Sequence, residues 1–162
     1  MIFVTIGGFR AFERLVCQAD RIAGEIEEQV SMQIGFTEYE PTNCEWQRFM
    51  SKTEIERAIA DARLVVSHAG IGSLLAALKH NKPLVLVPRM KSYGEHIDDH
   101  QLEIAREMER LGVTVVYDIA NLQSALENPD IKPVQVKGTT GLAARLKEYL
   151  DTLENPGTGD DK

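Results

Sequence analysis

The chain has 162 residues, 43% of them hydrophobic and 27% charged, with a formal net charge of −7. That length supports one domain with a substantial core, and a surface this acidic repels phosphate backbones, which argues against nucleic acid as a general partner. No apolar run approaches the ~20 residues of a membrane span, and Cys17 and Cys44 fit no zinc spacing.

Met1 leads directly into the apolar run Ile2–Ile6, which reads as a buried parallel strand ending in Gly7-Gly8. No secretory signal is expected ahead of it, so both thiols are read as reduced and cytoplasmic. Phe12, Leu15, Val16, Ala19, Ile22, Ala23 and Ile26 then recur with the helical period. Glu13, Gln18, Asp20, Glu25, Glu27 and Glu28 fall largely outside that stripe and are expected to face water. A second strand is predicted around Met32–Ile34, ending at Gly35. Residues 36–50 read as a loop holding a short strand within Cys44–Phe49.

Ser51 and Glu54 have the spacing of a capping box. The helix behind it would bury Ile55, Ala58, Ile59 and Ala62. Leu64–Val66 is the next strand. A helix from about Ser73 to His80 follows, apolar on several sides and so expected to be well buried. Asn81 suits a left-handed C-cap and Pro83 forbids continuation. Leu84–Val87 is a central strand stopped by Pro88, and residues 89–95 form a polar loop. A helix from about Ile97 to Leu111 would turn Ile97, Ile104, Ala105, Met108 and Leu111 inward, with Gly112 as terminator. A strand at Val113–Tyr117, a short helix through Leu122, Ala125 and Leu126, and a last helix through Leu142, Ala143, Leu146, Leu150 and Leu153 complete the series. Residues 1–154 are read as one domain and 155–162 as a disordered tail. Strands and helices alternating along the chain predict an α/β fold, a Rossmann-like parallel sheet with helices on both faces.

In such sheets ligands bind beyond the carboxyl ends of the strands. The run Ser67-His68-Ala69-Gly70-Ile71-Gly72-Ser73 lies there, between a strand and a helix. Glycine lets backbone approach a ligand closely, and a helix N-terminus offers unpaired amides to a diphosphate. Gly70, Ile71, Gly72 and Ser73 are therefore candidate phosphate-binding residues. The plainer alternative is a tight turn with Ser73 acting only as a cap. His68 either donates to a phosphate or packs beneath the turn.

His96-Ile97-Asp98-Asp99-His100-Gln101 is the second constellation. Gln101 shares the apolar stripe with Ile104, so its amide needs a partner, either a substrate hydroxyl or a neighbouring loop. Asp98 is read as a cap and dipole partner. His96 and His100 lack an evident third ligand, so no metal is expected. Arg89 and Lys91 are cations that could meet a phosphate, and solvation is favoured for Lys91. Tyr39 and Trp46 are read as packing residues before base-stacking ones. His68 and His96 are the candidates for a catalytic role, and position alone assigns neither as a base.

The segments His68–Leu75, Asn81–Val85, Asp99-His100-Gln101 and Gly112 together resemble the donor-binding C-terminal domain of glycosyltransferase family 28. The likeness runs from about Val4 to Leu126. It is nearest to stand-alone forms, namely the catalytic subunit of the two-part enzyme that adds the second N-acetylglucosamine of dolichol-linked chitobiose, and the small subunit of bacterial two-part exopolysaccharide glucuronosyltransferases. Gln33–Gly35, Tyr39, Pro41, Arg48 and Phe49 resemble the bacterial group in particular.

The resemblance implies the C-terminal half of a GT-B fold, with a membrane-associated partner supplying the acceptor half. It implies inverting, cofactor-free and metal-independent transfer from a UDP-sugar to a polyprenyl-linked acceptor at the cytoplasmic face of the membrane. It also implies that Gly70 to Ser73 hold the diphosphate, that Gln101 with Asp99 or His100 contacts the sugar, and that Gly7 and Gly8 line the cleft floor. An isolated half-cleft leaves room for a homodimer. One position departs from the pattern: many members carry an acidic residue that binds the ribose where this chain has Ala76. That keeps a non-catalytic nucleotide-sugar-binding or scaffold subunit as the rival reading. A sugar-modifying enzyme such as an epimerase would normally need both halves of the cleft in one chain.

Overall fold

The computed structural model describes residues 1–133. The strands β1 (Ile2–Thr5), β2 (Val30–Gln33), β3 (Glu45–Gln47), β4 (Leu64–Ser67), β5 (Leu84–Leu86) and β6 (Thr114–Val115) form one sheet in the order β3-β2-β1-β4-β5-β6. Every pairing is parallel. The helices α1 (Glu13–Ala23), α2 (Lys52–Asp61), α3 (Ile71–Lys79) and α4 (His100–Arg110) make four of the crossovers, a loop joins β2 to β3, and α5 (Leu122–Glu127) follows β6. Side chains alternate across a strand, and β1 divides the core accordingly. Ile2 and Val4 join Leu15, Val16, Ile22 and Leu122 on the α1/α5 face. Phe3 joins Ile59, Leu74, Ala105 and Met108 on the α2/α3/α4 face. The predicted helix-covered parallel sheet is what forms.

Local signals hold where both partners lie close in sequence. Ser51 accepts from the Glu54 amide at 3.2 Å while Glu54 accepts from the Ser51 amide at 2.7 Å, the reciprocal capping box. Asn81 takes φ +51° at the end of α3.

Four expectations are corrected. Asp20, expected in water, is fully buried. It accepts from the Thr42 amide at 3.1 Å, the Asn43 amide at 2.8 Å and the Tyr39 hydroxyl at 2.7 Å. Burial alone would raise its pKa, but these donors hold the carboxyl below its usual range. Asp20 thus fastens the 37–44 loop to α1. Ile97 and Leu111, expected inside, are 67% and 43% exposed, because α4 begins only at His100 and ends at Arg110. Within α3 only Leu74 and Ala77 are buried, because one face packs on the Phe3 side of the core while Gly72, Leu75 and Lys79 face solvent. Cys44 is a packed thiol, pushed up to about 12 by burial and then by the charge of Asp20. The last helix expected, through Leu142 to Leu153, and the tail lie outside the described residues, as does the predicted domain end at 154.

Candidate functional site

The order of strands reverses between β1 and β4, whose carboxyl ends therefore open a crevice. The β1–α1 turn and the β4–α3 turn flank it. They meet on one side chain, His68. A Cβ at Gly7 would lie 2.8 Å from the His68 ring, and one at Gly70 would overlap that ring outright. These two glycines are small because an imidazole fills the space beside them. His68 thus packs between the turns, which was one of its two sequence readings. Its Nδ1 is buried without a hydrogen-bond partner among the described residues. Burial, and after it the positive charge of Arg89, push His68 down to about 3. The ring is neutral at physiological pH and a poor proton acceptor.

Gly7 has φ +73°, a conformation side chains resist. Its carbonyl accepts from Gln33 Nε2 at 2.9 Å, and Gln33 Oε1 accepts from Thr5 Oγ1 at 2.8 Å. That buried relay fixes the turn, while Gly8 stands open, with no atom within 4 Å of the Cβ it lacks.

The cap of α3 is Gly70, and no side chain caps the helix. Ser73 sits inside the first turn, so the reading of Ser73 as a mere cap does not hold. The amides of Ile71, Gly72 and Ser73 have no partner within the helix, which is the condition for anion binding. Gly72 faces open space, with no atom within 4 Å of the position a Cβ would occupy.

Arg89 is placed differently from the phosphate contact considered for it. It is 3% exposed and donates to the carbonyls of Ile6 at 2.8 Å, Arg10 at 2.9 Å and Ala11 at 3.3 Å. Its guanidinium also lies over the Phe12 ring, 4.8 Å from the centroid. Burial lowers its pKa to about 10, so it stays charged. Arg89 therefore shapes the β1–α1 turn from behind. Gln101 Oε1 accepts from the Arg89 amide at 3.2 Å, so its partner here is the neighbouring loop.

Two features escaped the sequence reading. Arg14, at the start of α1, makes a bidentate pair with Glu95 at 2.7 and 2.9 Å. Glu95 also accepts from the Met90 amide at 3.0 Å, and Arg14 donates to the Pro88 carbonyl at 3.0 Å. The pair clamps the 88–95 loop to α1, and no local signal announces partners 81 residues apart. The second feature is Asp98. It lies 2.7 Å from His96 Nδ1 and 3.3 Å from His100 Nδ1, one ring on each carboxylate oxygen. The spacing His-x-Asp-x-His was visible in the sequence. Asp99 accepts from the Lys91 amide at 3.3 Å, and Lys91 is exposed. Among the described residues no group of three or more His, Cys, Asp or Glu is arranged to hold a metal, and no helix is long and apolar enough to cross a membrane.

Exposed aromatics ring this same edge. Phe9 is 98% exposed, and Phe36 and Phe49 pair edge to face with centroids 5.0 Å apart. A shallow groove at the opposite edge is lined by Glu25, Glu27, Glu28 and Glu127. Arg63, the cation among its lining residues, is already paired with Glu28. That groove would repel a diphosphate.

The family model described as the glycosyltransferase family 28 C-terminal domain matches residues 1–137. The UDP-N-acetylglucosamine transferase subunit ALG13 of Candida albicans is 32% identical over 96 residues, covering 59% of this chain and 31% of that protein. The match thus spans less than a third of that relative's length. An NMR solution structure of ALG13 superposes with a TM-score of 0.63 at 21% identity, over 93% of this chain and 96% of that one. The calicheamicin glycosyltransferase CalG4 superposes with a TM-score of 0.63 at 21% identity, over 94% of this chain but 43% of that one. These two likenesses are of fold, and they match the sheet to one half of a GT-B glycosyltransferase.

Proposed function

The chain belongs to the family of glycosyltransferase family 28 C-terminal domains, and on that premise we propose that it is the donor-binding, catalytic subunit of a two-component inverting glycosyltransferase. The donor is a UDP-sugar, and the acceptor is a polyprenyl-linked saccharide held by a membrane-associated partner at the cytoplasmic face. The observation that carries this reading is the uncapped N-terminus of α3 at the switch point, with Gly72 open in front of it. Three free amides at the positive end of a helix suit a diphosphate. Gly70, Ile71, Gly72 and Ser73 would cradle it, Gly7 and Gly8 would floor the cleft, and Asp99, His100 and Gln101 would lie toward the sugar. Arg89 would serve by holding the β1–α1 turn.

The partner reading has its own support. Phe9, Phe36 and Phe49 leave an apolar rim on the edge that a second half of the cleft would cover. The name of the Candida albicans relative also describes a transferase subunit. Ala76 supplies no carboxylate for a ribose, which favours the rival reading of a non-catalytic binding subunit.

A transfer assay separates the two. Membranes carrying the acceptor half but stripped of this chain are incubated with labelled UDP-sugar. Labelled glycolipid is expected only when the purified chain is added back. Equal labelling with and without it would leave the chain a binding or scaffold subunit.

A further inference from the structure

We propose that Arg14 and Glu95 are positioning residues for the donor sugar, and that together they set where Asp99 and Gln101 stand. This rests on the function proposed above, which places Asp99 and Gln101 toward the sugar and gives no role to the pair that holds their loop.

Three consecutive amides of the β5–α4 loop carry the argument. The Arg89 amide donates to Gln101 Oε1 at 3.2 Å, the Met90 amide to Glu95 Oε2 at 3.0 Å, and the Lys91 amide to Asp99 Oδ1 at 3.3 Å. Both sugar-side residues thus take their place from the same short run of backbone as Glu95. One end of each side chain is held by the loop, which leaves Gln101 Nε2 and Asp99 Oδ2 for other partners. A displacement of residues 89–91 therefore displaces both.

That run is fastened from the opposite face of the sheet. Arg14, in the first turn of α1, grips both oxygens of Glu95 at 2.7 and 2.9 Å and donates to the Pro88 carbonyl at 3.0 Å. Glu95 Oε2 thus accepts from Arg14 on one side and from the Met90 amide on the other. The two side chains are only 17% and 11% exposed, and the guanidinium lies over the rings of Phe12 and Tyr93, 5.3 and 4.9 Å from their centroids. A shielded bidentate pair holds its geometry far better than an ion pair in open solvent. Phe12 also carries the Arg89 guanidinium and ends the turn that would floor the cleft. Arg14 and Glu95 thus join the two sides of the crevice, the floor behind β1 and the sugar-side residues ahead of α4.

The test cuts this tether without leaving a charge unpaired. Arg14→Met combined with Glu95→Gln removes both charges. The methionine keeps apolar packing against the two rings, and the new amide oxygen can still accept from the Met90 amide. Calorimetry compares UDP with whichever of UDP-N-acetylglucosamine, UDP-glucose and UDP-glucuronate the wild type binds tightest. In the double variant UDP is expected to bind within about threefold of wild type, while affinity for the UDP-sugar relative to UDP falls about tenfold or more. In the two-component system KM for that donor should rise by a similar factor, with kcat changed less than about threefold. Each single variant should lose as much discrimination as the double, because either one cuts the tether. Hydrogen exchange gives a readout that needs no donor, and the Arg89 and Lys91 amides should exchange about tenfold faster while those of β4 are unchanged. A folded double variant whose UDP-sugar-to-UDP affinity ratio stays within about threefold of wild type would overturn the proposal, since a merely structural clamp weakens both ligands alike. Unchanged exchange at Arg89 and Lys91 would overturn it as well. If the wild type binds neither UDP nor a UDP-sugar, the function reading fails instead.

Discussion

Replacing Gly72 with valine is expected to abolish UDP-sugar binding in a chain that still folds. No protein atom lies within 4 Å of the position a Cβ would take there, so the new side chain meets no resistance from the fold. Helix propensity even favours the change slightly, since glycine is the poorer helix former. The obstruction falls on the ligand. Side chains lean toward the N-terminus of their helix, so the two methyl groups would stand in front of the amides of Ile71, Gly72 and Ser73. Hydrogen bonds to a charged group contribute about 1.5–3 kcal/mol each. Losing even two of them lowers affinity by at least about a hundredfold. Calorimetry reads the affinity and a thermal melt reads the fold. Gly72→Ala should fall between valine and wild type. Unchanged affinity in a folded Gly72→Val chain would remove the turn from the site.

Arg89→Ala is expected to be the most damaging single change to stability near the site. It removes donors to the Ile6, Arg10 and Ala11 carbonyls and the cation over Phe12. Carbonyls left unpaired in a buried place cost about 1–3 kcal/mol each. Allowing for water entering the gap, a loss of about 3 kcal/mol is expected, which lowers the melting temperature by roughly 10 °C. Donor affinity should fall as well, measured below the melt, because Gly7 and Gly8 sit on the turn that Arg89 holds. Arg89→Lys should recover little, since a single ammonium cannot reproduce a fork that reaches three carbonyls. A melting temperature within about 2 °C of wild type would show that the turn stands without it.

What could be read from the chain follows the range of the interactions. The alternating strands and helices, the Ser51/Glu54 box and the left-handed Asn81 were legible because each rests on residues a few positions apart. The glycine turn after β4 was legible for the same reason, and the family resemblance rested on it. The role of Arg89 was not, because its three carbonyls lie 78 to 83 residues away. The Arg14–Glu95 clamp was hidden for the same reason. Asp20 misleads because a carboxylate off the apolar stripe usually faces water, and only the returning loop at Thr42 and Asn43 supplies the donors that let it be buried. Asp98 is a different case. Its two histidines stand at equal spacing on either side, but a helix-capping role explains the residue equally well from sequence, and only the folded segment shows the bridge. Extending the period of α4 one turn too far places Ile97 inward, whereas that residue belongs to the segment that Asp98 organises.

The most direct test of the central claim is a calorimetric titration of the purified chain, alone and then with the proposed partner subunit. The titrants are UDP, UDP-N-acetylglucosamine, UDP-glucose and UDP-glucuronate, with ADP as the control. The expected result is selective binding of the uridine nucleotides, with the tightest sugar nominating the donor. Uridine and adenine diphosphates bound alike, or no nucleotide bound even with the partner present, would contradict the assignment of this edge as a UDP-sugar site.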